Sequence, residues 1–444
     1  MLNAATLPGA MAGVARAERL SRAGRLVISV MLIVILEGAV RKWLASSMTL
    51  PLVLARDALA LYAVYYAFSR GHLHRHKGMS LILLAWSCCV VMWGMLQLIL
   101  GESNPTIFLI GLRFWLLYIW FACAVTASMT ERDYRVAVKT VLWALLLMGP
   151  LAILQHLSAP GAFINTEVDS QGGDVFEVAV GVVRTTGTFS FTVGYTTFVA
   201  LCAPLVLLML ESRKRTTGQR LFSLLVLAAF VAGSIVSGAR STVLFSGGML
   251  GLYLVGSVLL APGRHKGIAL LALVFIVLML GLFLYVFQGA VEATQERFQA
   301  ASEVEGLGER IALIFTGEPA VYKRFTWTGF GVGLGSNLAN YVQSGDRSFF
   351  ALAETETGRT LLEGGVLGYA FAALKALIAV VAVTKASRQA MRTRTMFPVL
   401  VWLTIAFAMF SWSYVGQLSI NALFAVLFVL GLLTFKYPNF RVFG

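Results

Sequence analysis

The chain has 444 residues, 58% of them hydrophobic and only 13% charged, with a formal net charge of +14 and a mean hydropathy of +0.81. A soluble protein carries roughly 25% charged residues, so the composition excludes an ordinary globular domain and points to a polytopic membrane protein. The apolar runs are continuous rather than alternating, which argues against a β-barrel, and Cys88, Cys89, Cys123 and Cys202 all lie inside such runs, which argues against a disulfide framework or a zinc site.

A bilayer is crossed by a helix of about 20 apolar residues. On that measure the sequence predicts twelve spans, near residues 26–44, 49–68, 79–100, 107–128, 140–157, 189–210, 221–237, 241–260, 268–288, 361–383, 397–415 and 418–435. The stretch before the first span contains Arg16, Arg19, Arg22 and Arg25, and the apolar run after it is too long for a cleavable signal. With the N-terminus inside, the two terminal segments together with "RGHLHRHKG", "ERDYRVAVK", "ESRKRTTGQR", "PGRHKG" and "TKASRQAMRTRT" fall on one side and carry 22 of the 35 Lys and Arg, while most of the 21 acidic residues fall on the other. That division follows the positive-inside rule and puts both termini in the cytoplasm. The net charge is thus a topological signal, with no basic-aromatic surface of the kind that binds nucleic acid.

Charges within the spans need partners. Glu37 and Arg41 stand four residues apart and are expected to pair along one helix. Arg56 and Asp57 in the second span and Arg113 in the fourth are expected to face the bundle or the interface. His72, His74 and His76 lie in a basic inside loop and read as solvated rather than as metal ligands.

Two outer segments, 158–188 and 289–360, are long enough to hold a site, since loops beyond ~15 residues are usually functional or disordered. The second contains Trp327, Phe330, Tyr341, Phe349 and Phe350, which disfavours disorder. The chain therefore divides into a bundle over 1–288, a large outer loop over 289–360 with a catalytic or lid role, and a second bundle over 361–444.

Arg184, Arg240 and Arg310 all fall on the outer side, against the positive-inside trend. Each is either an interfacial anchor or a ligand for an anionic group. "TWTGFGVGLGSN" supplies Gly331, Gly333 and Gly335, which serve either as turn formers or as a backbone cradle for an anion. In "AETETGRTLLEGG", Thr360 and Glu363 have capping-box spacing, which would start the tenth span near Leu361 and leave Glu354, Glu356 and Arg359 just outside it. Those three form either an interfacial ion-pair cluster or a general base with an arginine for an anionic substrate. No outer pattern has metal-ligand spacing, and no nucleotide signature is present.

In order and side, "EGAVRKW", "RTTGTFSFTVGY", "SGARS", "GFGVGLGSN" and "ETETGRTLLEGGVLG" resemble motifs of the O-antigen ligase and Wzy-type polysaccharide polymerase superfamily. The resemblance implies an all-α, GT-C-like glycosyltransferase of about twelve transmembrane helices with one large periplasmic loop in a bacterial inner membrane. It implies undecaprenyl-diphosphate-linked glycans as donor and acceptor, inverting transfer without metal or other cofactor, and chain-length-regulator and export proteins as partners. Arg240 matches the family's Ser-Arg motif, Arg310 a basic residue early in the large loop, and Arg184 the arginine before the sixth span; Arg240 and Arg310 would bind diphosphate, with Arg184 and Arg359 supporting either diphosphate or glycan. The ligase histidine stands nine residues before the glutamate of "E-x-G", a position occupied here by Glu354, with Glu356 the substitute if the register shifts. This glutamate variant, with Arg359 added, is associated with exopolysaccharide polymerases. A ligase moving finished polymer, a protein O-glycosyltransferase and a flippase of lipid-linked glycans remain as alternatives.

Overall fold

The computed structural model describes residues 19–166, 177–179, 182–211, 215–261, 267, 307–343 and 352–443. Long apolar helices dominate them. In chain order these are α1 (Arg22–Trp43), α2 (Thr49–Ser69), α3 (Lys77–Ile99), α4 (Pro105–Leu112) joined through a π turn at Arg113–Leu117 to α5 (Tyr118–Ser128), and α6 (Glu131–Leu157). A short antiparallel ladder of β1 (Glu177–Ala179) and β2 (Val182–Val183) precedes α7 (Thr192–Glu211), α8 (Thr217–Val236) and α9 (Arg240–Leu260). The short helices α10 (Leu307–Thr316), α11 (Pro319–Lys323), α12 (Asn337–Val342) and α13 (Glu356–Gly364) follow, then α14 (Val366–Thr393), α15 (Phe397–Ser411) and α16 (Leu418–Lys436).

Ten helices among the described residues are long and apolar enough to cross a membrane, with α15 a shorter eleventh. The chain is therefore a multi-pass, helical membrane protein. The expected ninth span, 268–288, and much of the expected 289–360 loop lie outside the described residues.

α7 is the most enclosed span, 83% buried, whereas α3 and α9 are 17% buried and form the periphery. Hydrogen bonds tie successive helix ends into two opposite faces. At the basic face, the Ser21 N–H donates to Asp133 Oδ1 (2.9 Å), and Lys436 Nζ donates to the carbonyls of Thr126 (2.9 Å), Ala127 and Met129. The Met396 N–H donates there to Glu211 Oε1 (2.5 Å). The start of α1, the α5–α6 junction, the end of α7, the α14–α15 junction and the end of α16 thus share one side.

Helices extend further into the basic segments than hydropathy indicates. "ERDYRVAVK" is not a loop but the first turns of α6, opened by a capping box between Thr130 and Asp133. "TKASRQAMRT" is likewise the end of α14, because no Gly or Pro interrupts it before Arg394 takes a left-handed conformation (φ 56°) and closes the helix.

The charges of the first spans form a buried chain. Arg56 Nη1 donates to Glu37 Oε2 (2.7 Å), and Ser419 Oγ donates to Glu37 Oε1 (2.7 Å). Arg113 grips Asp57 through Nε (2.6 Å) and Nη2 (3.0 Å), and the Tyr118 hydroxyl donates to Asp57 Oδ1 (2.8 Å). Arg56, Asp57 and Arg113 thus face the bundle as expected. Glu37 does not pair with Arg41 along its helix, because the neighbouring α2 offers a fully buried guanidinium at closer range.

Removing one member of such a pair leaves a buried charge without its partner, which costs roughly 3–5 kcal/mol. Arg56→Met is accordingly expected to lower thermal stability in detergent sharply, while the Glu37→Gln/Arg56→Met double variant recovers most of the loss. Equal loss in both variants would show that the pair is not the source of the effect.

Candidate functional site

The site is built where the chain re-enters the bundle after the outer segment. The Thr355 hydroxyl caps α13, accepting from the Gly358 N–H (3.0 Å), and is itself held by Glu318, which accepts from the Thr355 N–H (2.5 Å) and hydroxyl (3.1 Å). The expected cap at Thr360 is therefore overturned. Thr360 donates to the Thr357 carbonyl (3.0 Å) within α13, and the Glu363 carboxylate turns inward instead of reaching back to a helix start. The helix begins five residues earlier than expected and breaks at Gly365, whose φ of 52° and abutment on the Trp327 carbonyl leave no room for a side chain. Consequently Glu356, Arg359 and Glu363, spaced to share one helical face, point into the protein. Glu356 and Arg359 do not lie outside the helix at the outer surface; both are buried, at 0% and 2% exposure.

Glu363 organises the glycine-rich segment. Its Oε2 accepts from Trp115 Nε1 (2.7 Å) and the Gly333 N–H (2.9 Å), and its Oε1 accepts from the Gly335 N–H (3.0 Å). The Gly331 N–H donates to the Glu363 carbonyl (3.2 Å), as does Gln97 Nε2 (2.8 Å). Gln97 also donates to the Thr328 carbonyl (2.6 Å) and accepts from the Val332 N–H (2.9 Å). The glycine amides do form an anion cradle. The anion they hold is the protein's own carboxylate.

Arg359 spends its donors on structure as well, on the carbonyls of Gly335 and of Ala353 (2.7 Å). Glu356 Oε2 accepts from the Val415 N–H (3.2 Å), and its Oε1 faces Lys375 Nζ at 3.8 Å. That ammonium lies over the rings of Phe371 (4.7 Å), Phe410 (5.5 Å) and Tyr414 (5.6 Å). Burial raises the Glu356 carboxyl above the usual carboxylate range, against the pull of the Lys375 cation.

Glu354 differs from these neighbours: its side chain is exposed, while its carbonyl accepts from Ser413 Oγ (3.0 Å). Arg184 follows β2 and is half-buried, with Nε enclosed and without a hydrogen bond; the next residue, Thr185, donates to the Val236 carbonyl (3.2 Å) at the end of α8. Arg240 opens α9 just beyond that point. Arg310 lies in α10, which packs on α13 through the Thr357 hydroxyl and the Ile314 carbonyl (2.6 Å). α9 and α10 both flank the end of α15, through Phe245 on Phe407 (4.8 Å) and Phe315 on Phe410 (5.3 Å).

Several organising residues escape sequence reasoning. Lys42 Nζ donates to Thr186 Oγ1 (2.8 Å) and the Gly187 carbonyl (2.7 Å), and Gln155 Oε1 accepts from the Gly187 N–H (2.8 Å), so "EGAVRKW" and "RTTGTF" meet. Lys42, Gln97, Gln155 and Lys375 carry a readable signal, a polar side chain within an apolar run; Glu318 and Trp115 carry none. An apolar groove of about 760 Å³ opens between α2 and the α4–α5 segment, with the Asp57–Arg113 pair among its lining residues. No group of His, Cys, Asp and Glu among the described residues is arranged to hold a metal ion.

No protein-family model, curated protein or solved structure matches the chain.

A Gln at position 363 must turn its NH2 toward the Trp115, Gly333 or Gly335 donors, leaving a buried donor without an acceptor, a cost of about 1–3 kcal/mol. Glu363→Gln is expected to destabilise the protein by that amount in thermal unfolding and to expose residues 324–336 to protease. Gly333→Ala should do at least as much, because φ is 95° there and the Gly111 backbone occupies the space a methyl would need. Unchanged stability in both variants would mean that the cradle does not hold this segment.

Proposed function

We propose that the chain is a membrane glycosyltransferase of the O-antigen ligase and Wzy-type superfamily, with a GT-C-like arrangement and a periplasmic site in a bacterial inner membrane. In this reading it joins undecaprenyl-diphosphate-linked repeat units into a polysaccharide. The observation that carries the reading is convergence. Stretches as distant as Glu37 and Glu363 assemble at the face opposite the basic one, and the 413–419 turn bridges them: Val415 donates to Glu356, and Ser419 donates to Glu37.

The chemistry assigned here is a single displacement. An acceptor hydroxyl oxygen attacks the anomeric carbon, the bond from that carbon to the phosphate oxygen breaks with its electron pair leaving on the diphosphate, and the hydroxyl proton passes to a base. Glu354 is the proposed base, because its carboxylate is exposed on a fixed backbone. Arg240 and Arg310 are proposed to bind the diphosphate, with Arg184 in support, so that charge growing on the leaving oxygens meets fixed cations. Glu356 and Arg359, spent on internal contacts, are assigned to holding Glu354 and the glycine segment in place.

Glu354→Gln is expected to remove long polymer and accumulate single repeats on the outward-facing lipid carrier, with folded protein still in the membrane; Arg240→Ala should lower turnover by roughly 10²-fold or more. The readout is size-resolved analysis of lipid-linked, secreted and surface-attached glycan in a host lacking the native gene and complemented with each variant. Full activity in Glu354→Gln would remove the base assignment. In the uncomplemented host, long polymer retained on its carrier would mean a ligase, and repeats trapped on the cytoplasmic leaflet a flippase.

A further inference from the structure

The basic face carries a second feature that the proposed transfer chemistry does not use. A cavity of about 680 Å³ lies between the end of α14 and the chain after α16, lined by Lys385, Arg388, Gln389, Arg392, Thr393, Pro438 and Asn439. Its shape is set by Gln389, whose Nε2 donates to the carbonyls of Thr434 (2.9 Å) and Pro438 (3.5 Å) and so holds the chain after α16 against α14. The Lys385 ammonium sits 4.3 Å from the Phe435 ring centre, which orients it beside the cavity. No Asp or Glu is among the lining residues.

Lys385, Arg388 and Arg392 stand at i, i+3 and i+7 and share one face of α14. Three unit positive charges therefore line one open cavity. The helix C-terminus contributes only about half a negative charge, too little to cancel them. The charge division between the two faces accounts for basic residues on this side, but not for three of them lining one cavity; each is exposed and free to meet a ligand there.

The same stripe continues back along α14 as Val381 and Leu377, which are 57% and 61% exposed. One line along the helix thus changes from exposed aliphatic side chains to a cationic cavity over about two turns. That sequence matches a phospholipid, whose acyl chains would lie along Leu377 and Val381 and whose headgroup would enter the cavity. A free phosphate or a soluble acidic protein has no use for the aliphatic half.

We propose that this cavity is a binding site for the phosphate of an anionic bilayer phospholipid, held by Lys385, Arg388 and Arg392.

The test uses the full chain purified into detergent and exposed to phosphatidylglycerol or phosphatidylcholine, with bound lipid counted by native mass spectrometry across a salt series. Phosphatidylglycerol is expected to be retained preferentially and to be lost with rising salt. Arg388→Ala/Arg392→Ala should weaken that retention by roughly tenfold or more, since each basic group near a membrane surface is worth about 1 kcal/mol. Both arginines are exposed, so the variant should fold; an unchanged melting temperature without added lipid checks this. Arg132→Ala/Arg220→Ala, on the same face but outside the cavity, should retain phosphatidylglycerol as the parent does. Three results would each overturn the site: equal retention of the two lipids by the parent protein, equal losses in the two double variants, or displacement of the lipid by millimolar inorganic phosphate, which would mean a free-anion site.

Discussion

The end of the bundle opposite the basic face depends on one buried carboxylate. Glu363 lies at 0% exposure with both oxygens engaged, and its three donors come from two separate places: Trp115 between α4 and α5, and the Gly333 and Gly335 amides of the glycine segment. A carboxylate taken out of water loses several kcal/mol of solvation and persists only where charge-assisted hydrogen bonds replace the water. Here two of the three replacements also fix the glycine segment, which has no helix or strand of its own. The glycines are what make this possible: a side chain at Gly333 would collide with the Gly111 backbone, so the amides could not come close enough to donate.

The consequences spread outward through shared atoms. The carbonyls of Leu362 and Glu363 accept from Phe330 and Gly331, and the Trp327 carbonyl accepts from Val366 at the start of α14. The glycine segment therefore continues the hydrogen bonding of α13 across the break at Gly365, where a straight helix would have needed none of it. Arg359 closes the other side by joining Gly335 to Ala353, and the Gly416 backbone packs so tightly on its guanidinium that the 413–416 turn is fixed too. A kinked entry in place of a straight span thus turns three charged side chains inward, and those side chains recruit the surrounding turns.

Sequence pattern resolves the part of this that is local. Apolar runs locate the spans, because burial in lipid or protein acts on every residue of a run, and the charge division separates the two faces. The entry into α14 was misread for a physical reason. Thr355 and Thr360 both satisfy the local requirement for a cap, and the choice between them is made by Glu318, 37 residues earlier, which holds Thr355. The partner of Glu37 was misread for the same reason: the spacing along a helix is visible in sequence, and the facing position on a neighbouring helix is not. The glycines of 329–335 were legible as an anion cradle, but nothing local shows that the anion comes from position 363.

The burial of Glu356, Arg359 and Glu363 changes what Glu354 can do. An exposed carboxylate on a mobile loop would sample many positions, whereas the proton acceptor of the proposed transfer must be held to within about 0.5 Å of productive geometry. The backbone at Glu354 is fixed from both sides: Ser413 donates to its carbonyl, and the next residue is both the cap of α13 and the ligand of Glu318. Only the Glu354 side chain is left free to meet solvent. Four carboxylates, Glu318, Glu354, Glu356 and Glu363, act electrostatically on the single Arg359 guanidinium. Three of them are taken up internally, Glu318 and Glu363 by neutral hydrogen-bond donors and Glu356 by the Val415 N–H and the nearby Lys375, and Glu354 alone presents its side chain outward on a rigid mount. In the proposed transfer, that outward carboxylate is the one of the four that an acceptor hydroxyl can reach.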